Sequence, residues 1–224
     1  MSSRDAILNK VRQSLGQPVS DAVRQKAVAG RLKKAPQGVI PARGQLALAD
    51  RVELFCDMAE KLFATVQRIP KHEQVPAAVA EYLRGKNLPA SIRMGGDPRL
   101  AAMPWRKQRA LEVKQGASDG DDAAGVSHAA GGIAETGTLV LLSGAGNPTT
   151  INFLPEHHIV VIDAADIDGE LETAIAKVRK TFGKGKMPRT LNLVSGPSRS
   201  GDIEQKLILG AHGPRALHIL VVGG

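Results

Sequence analysis

Residues 191–224, LNLVSGPSRSGDIEQKLILGAHGPRALHILVVGG, constrain the fold more than any other stretch. Leu191, Leu193 and Val194 open it as a buried β run, and Leu217 to Val222 close it with a run of strand length. Between them, Ser195 to Gly201 has the Gly, Ser and Pro content of a turn. Asp202, with Gln205 three residues on, has the pattern of a helix N-cap and its capping-box partner. Gly210 falls where such a helix stops. Strand, short helix and strand in so little chain predict a βαβ unit with two parallel strands. A loop that leaves a parallel strand at its carboxyl end and enters a helix is where open α/β sheets bind ligands. Free backbone N–H groups and the helix dipole favour an anion there, and Arg199 adds a forked cation. The same Gly and Pro residues also suit a turn with no ligand, so both roles stand open.

The rest of the chain alternates helices with short strands, which predicts an α/β domain. Ile7, Leu8, Val11 and Leu15 fall on one face of a helix over 3–15, with Ser3 as its cap. Residues 16–44 are poor in large apolar side chains and read as a mobile linker or extended arm. Helices are expected from Leu46 to about Ala64, from Gln74 to Leu83 and from Gly169 to about Phe182. Strands are expected at 65–69, 91–94, 110–113, 138–142 and 158–163, with weaker β character over 125–134. Glu135-Thr136-Gly137 suits a tight turn in which Gly137 supplies a positive φ. The division expected is a helix and basic linker over 1–45 and an α/β domain over 46–224.

Composition narrows the function classes. The single cysteine, Cys56, excludes an internal disulfide framework and any Cys-ligated cluster or zinc site held by this chain alone. No apolar run approaches the ~18 residues of a membrane span, and the N-terminus lacks a secretory apolar region, so a cytoplasmic location is expected. The formal net charge is +8, unevenly spread. Residues 1–115 carry 21 Lys and Arg against 10 Asp and Glu; residues 116–224 carry 9 against 12. A nucleic-acid-binding regulator is one reading of that basic half. Yet the basic residues are dispersed, and no recognised nucleic-acid motif accompanies them. Docking to an acidic protein explains the asymmetry equally well.

Three separated motifs resemble one family. Gly196-Pro197-Ser198-Arg199, Asp202-Ile203-Glu204, Gly210 and His212-Gly213-Pro214 resemble the C-terminal signature of the lactate utilization protein C family, the LUD domain. Ser200, Gly201 and Ala211 stand where the family usually has Thr, Ala and Val. Gly125-Val126-Ser127 and Ile133-Ala134-Glu135-Thr136-Gly137-Thr138 resemble its second signature, with Ser127 for Thr. Leu154-Pro155 and His158-Ile159 continue the match, which runs over residues 46–222. Many members carry an Arg shortly before the Leu-Pro pair; Pro148-Thr149-Thr150 occupies that region here. The resemblance implies a three-layer α/β/α fold with a mostly parallel central sheet, of the NagB/RpiA/CoA-transferase-like superfamily, plus an N-terminal helical extension. It implies a subunit that acts with two iron–sulfur partner proteins in oxidising L-lactate to pyruvate, with no cofactor in this chain. It also implies that Ser127, Thr136, Thr138, Ser198, Arg199, Ser200 and Asp202 contribute to binding a small organic acid or other anion.

Two residues are candidates for chemistry. Glu135 lies in a Gly-bounded turn, and a Glu is the nucleophile of related CoA transferases. A stand-alone acyl- or phosphate-handling enzyme built on Glu135 is therefore the alternative function. Its other reading is a turn carboxylate that pairs with Arg199 or caps backbone N–H groups. His212, between Gly210 and Pro214, can serve as a general acid or base, or cap the preceding element. Glu135, Thr136, Ser198, Arg199, Asp202 and His212 are expected in one cleft at the carboxyl ends of the parallel strands. No ligand set stands at metal-binding spacing and no G-x-G-x-x-G follows a strand, so neither metal nor nicotinamide or flavin is expected.

Overall fold

The computed structural model describes residues 2–16, 22–34, 38–183, 185–203 and 206–223. Contacts divide the chain into two units, Met1–Val39 and Ile40–Gly224. The first holds α1 (Ser3–Ser14) and α2 (Ala22–Lys34), neither with a buried residue. The cap of α1 is Ser2 rather than Ser3. Its Oγ accepts from Asp5 N at 3.2 Å, and Asp5 accepts in return from Ser2 N at 3.1 Å. Helix α2 lies within the expected arm and takes up 13 of its residues. Its sequence, AVRQKAVAGRLKK, consists mainly of strong helix formers, and a shortage of large apolar residues does not oppose a helix.

The second unit contains β1 (Thr65–Ile69), β2 (Ser91–Met94), β3 (Glu112–Gln115), β4 (Ala124–His128), β5 (Gly131–Ile133), β6 (Thr138–Leu142), β7 (His157–Asp163), β8 (Ile167–Asp168), β9 (Leu191–Val194), β10 (Arg199–Ile203), β11 (Lys206–Leu209) and β12 (Ala216–Val222). Its helices are α3 (Leu48–Lys61), α4 (Val75–Gly85), α5 (Pro98–Ala101), α6 (Thr149–Phe153) and α7 (Leu171–Phe182). Six strands form one parallel sheet in the order β1-β12-β7-β4-β2-β3. Strands β7 and β12 lie inside the sheet, away from its edges, because their apolar runs can be covered on both faces. The pleat then divides them. Ile159, Val161, Leu220 and Val222 face the helix α4 side, with Val75, Val79 and Leu83. Val160, Ile162, Ile219 and Val221 face α3, with Val52, Phe55 and Ala59. The expected α/β architecture with a mostly parallel central sheet is therefore present.

A second sheet, β8-β5-β6-β9, packs Leu139, Leu141 and Ile167 into the α3 side of the core. Its other face receives Ala174 and Val178 of α7 against Ile133 and Val140.

The stretch 191–222 differs from the predicted βαβ unit. Strand β9 joins the second sheet, antiparallel to β6, while β12 joins the first, parallel to β1 and β7. Between them β10 and β11 form an antiparallel hairpin instead of a helix. The expected helix would have spanned about two turns, and isolated helices that short are marginal in water. The consecutive Leu207, Ile208 and Leu209 suit a strand as well as a helix. Only the buried β12 satisfies the demand for a strand covered on both faces; Leu193 of β9 is 45% exposed. Asp202 is accordingly no helix N-cap, and its side chain lies outside the described residues. Gly210, φ 82, serves a turn after the hairpin. The strand expected at 110–113 forms two residues later, at 112–115.

Candidate functional site

The Gly196–Ser198 loop and the His212–Pro214 loop are stapled by backbone bonds. Ser198 N donates to Pro214 O at 2.8 Å, and Gly210 N donates to Ser198 O at 2.9 Å. Gly196 makes the approach to α3 feasible. Its φ is 77, and a Cβ there would stand 2.2 Å from Leu62 O. Phe63, just past α3, presents its ring to Arg199, whose guanidinium carbon lies 4.8 Å from the ring centroid.

Together these loops close a cavity of about 270 Å³ over the first residues of β7 and β12. Ser198, Arg199 and His212 line it with Asn152 of α6, His158 of β7 and Ser195. The loop therefore sits at the amino ends of the parallel strands, not at the expected carboxyl ends. The reason is topological: β12 enters the sheet after the hairpin, so the turn preceding it meets its amino end. None of the described residues lining the cavity is acidic.

The cavity floor is a short hydrogen-bonded array. Ser127 Oγ donates to Asn152 Oδ1 at 3.0 Å. Ser127 has given up its only proton, so its contact with His158 Nε2 at 2.9 Å requires the histidine to donate. His158 is held neutral: full burial pushes its pKa down to about 3. Asn152 is 2% exposed, and its Nδ2 has no hydrogen-bond partner. Asn152 lines the cavity, none of whose described lining residues is acidic; its buried, unsatisfied donor suits an acceptor, and Arg199 makes an anionic acceptor the better fit.

Glu135 and Thr136 stand apart from the lining. They form the tight turn between β5 and β6, where Gly137 has the expected positive φ of 62. Glu135 N donates to Gly169 O at 3.1 Å, and Glu135 Oε2 lies 3.5 Å from Arg43 Nε. Its cation is thus Arg43, from the segment read as linker, rather than Arg199. Residues 42–45 reach it because Gly44 packs directly on Gly169 and Gln45 donates to Glu170 at 2.8 Å. A link to the cavity remains through hydroxyls: Thr136 to Thr138 at 2.7 Å, and Thr138 to Ser195 at 2.6 Å. Ser200 pairs with Ile208 in the hairpin and is absent from the lining.

Asn152 and Ser195 were missed by sequence reasoning. A lone Asn between Ile151 and Phe153 was the available signal, since burying an amide needs a reason. His157 and His158 do point to opposite sides, as their strand requires: His157 Nδ1 meets Tyr82 Oη at 2.9 Å, while His158 meets Ser127.

Residues 122–222 match the LUD domain. A protein from Shouchella clausii called lactate utilization protein C is 37% identical over 90 residues, 40% of this chain and 39% of its own length. A Geobacillus protein of the same name is 40% identical over 91 residues, 40% of this chain and 38% of its own. The chain thus matches about two fifths of the length of these relatives. An uncharacterized Escherichia coli protein, YkgG, is 27% identical over 99% of both chains. A crystal structure of a DUF162 family protein from Deinococcus radiodurans superposes with a TM-score of 0.58 at 22% identity, covering 80% of this chain and 99% of that one.

Proposed function

We propose that this chain, a LUD-domain protein, serves lactate utilization by holding a small hydroxy or keto acid in the cavity over β7 and β12. The observation that carries the reading is Asn152, whose Nδ2 is buried without a partner and which lines the cavity with Arg199, Ser198 and His212. A carboxylate there accepts from Asn152 and from the guanidinium of Arg199. Its α-oxygen falls to Ser198 or His212. The cavity's size suits an acid of a few heavy atoms, since drug-sized pockets begin near ~300 Å³. The names of the relatives supply lactate as the acid.

In this reading the chain is a non-redox subunit. Two iron–sulfur proteins accept the electrons as L-lactate becomes pyruvate. The neutral His158 and the Ser127–Asn152 bond keep the floor rigid and uncharged, so binding costs little reorganisation. Glu135, paired with Arg43 outside the lining, supports the acyl-transfer alternative less well.

Reconstitution tests the assignment. The isolated chain is expected to bind lactate or pyruvate without turnover, and lactate oxidation is expected only when both iron–sulfur proteins are added. Arg199→Ala in the assembly is expected to raise the KM for lactate. Lactate turnover by the isolated chain, or an assembly equally active without it, would contradict the proposal.

A further inference from the structure

We infer that His72, His128 and Asp163 form a binding site for one divalent first-row transition-metal ion of the zinc class. The site lies at the carboxyl edge of the parallel sheet, opposite the cavity. His128 ends β4, Asp163 ends β7, and His72 follows β1 in a short 3-10 turn. The register places Ile69, Val222 and Asp163 side by side, which brings the segment after β1 to the same edge.

The three side chains converge. His72 Nε2 lies 2.6 Å from Asp163 Oδ1, and His128 Nε2 lies 3.5 Å from Asp163 Oδ2. One ligand atom from each residue fits within 4.8 Å of the others.

His128 is the decisive residue. Its Nδ1 lies 2.9 Å from Ala129 O, and a carbonyl can only accept, so Nδ1 carries the proton. Nε2 then presents a lone pair. It is buried, with a side chain 0% exposed, and it makes no hydrogen bond. A lone pair facing a carboxylate oxygen with no proton between them is an unfavourable arrangement that a cation resolves. An Nδ1–H donated to a backbone carbonyl is also how metal-ligating histidines are commonly oriented.

The neighbouring charges allow a cation. Arg99 is held by both oxygens of Asp97, at 3.1 and 2.8 Å, with Nη1 donating to Ala129 O at 3.3 Å. That pair is balanced locally, leaving Asp163 as the net charge of the cluster. His72, 48% exposed in its side chain, gives a route in from solvent. Two imidazoles and a carboxylate match the donor set of zinc-class sites, and three protein ligands leave a position open for water. The ligands come from three separate strand ends, so no local spacing announces them in the sequence.

The test uses the full, untagged chain, stripped with a chelator and titrated with Co²⁺ by visible absorption, with Zn²⁺ as competitor. One Co²⁺ per chain is expected, displaced by Zn²⁺, with a rise in thermal midpoint on Zn²⁺ addition. His72→Ala, at an exposed position, and Asp163→Asn are each expected to weaken binding at least ~10-fold while the metal-free midpoint stays near that of the parent. Absence of a saturable absorption band would overturn the site. So would an affinity in both variants equal to the parent chain's.

Discussion

Ser127 gives its one hydroxyl proton to Asn152 Oδ1, 3.0 Å away, and so fixes the carboxamide with its nitrogen left buried and unpartnered. The same bond makes Ser127 the acceptor for His158. Two motifs far apart in sequence, G-V-S at 125–127 and the Asn before Phe153, thus set one donor.

Acid should destabilise the fold in a defined window. His158 and His218 are buried, and desolvation lowers their pKa from 6.5 to about 3 and about 4. Unfolding lets each take up a proton once the pH falls below about 6.5. Stability is then full above that value and declines toward pH 3 to 4, by up to about 1.4 kcal/mol per pH unit for each histidine. Urea unfolding at a series of pH values should show this slope, and His158→Gln should flatten it. A pH-independent midpoint between pH 7 and 5 would count against both burials.

Gly196→Ala should be costly although the residue lies in a loop. A left-handed φ and a carbonyl 2.2 Å from the new Cβ act together, for a loss of about 1–3 kcal/mol or more. Cavity binding should fall with it, because the loop can no longer lie against Leu62. Denaturant unfolding beside ligand titration measures both.

Arg199 and Glu135 should behave differently. Arg199→Ala should weaken carboxylate binding about 10- to 100-fold, the worth of a hydrogen bond to a charged group. Its stability cost should stay below about 1 kcal/mol, since the stack on Phe63 is surface-exposed. Glu135→Gln should leave binding unchanged. Its ion pair with Arg43, whose side chain is 60% exposed, contributes little. A binding loss in Glu135→Gln equal to that in Arg199→Ala would restore the shared site.

Much of this arrangement was legible in the sequence. The strands β6, β7 and β12 follow from their apolar runs, and Gly137 from the turn it must make. The partner of Glu135 was not legible, because Arg43 sits in a segment whose composition reads as linker. Nor was the hairpin at 199–209. Its apolar residues fit strand and helix alike, and sheet membership of a four-residue strand such as β9 depends on partners far along the chain. The wrong edge of the sheet followed from both: with β9 in the second sheet and the hairpin returning the chain to the amino end of β12, the loop meets the amino ends of the parallel strands.

Calorimetric titration of L-lactate and pyruvate into the chain and its Asn152→Leu variant tests the central claim most directly. Leucine keeps the side chain's shape and removes the orphaned donor, but it also takes the acceptor from Ser127, so a stability loss of about 1–3 kcal/mol is expected and the titration is run well below the variant's unfolding midpoint. The account predicts saturable binding to the parent chain and at least about tenfold weaker binding to the variant. No binding to the parent, or equal binding to both, would contradict it.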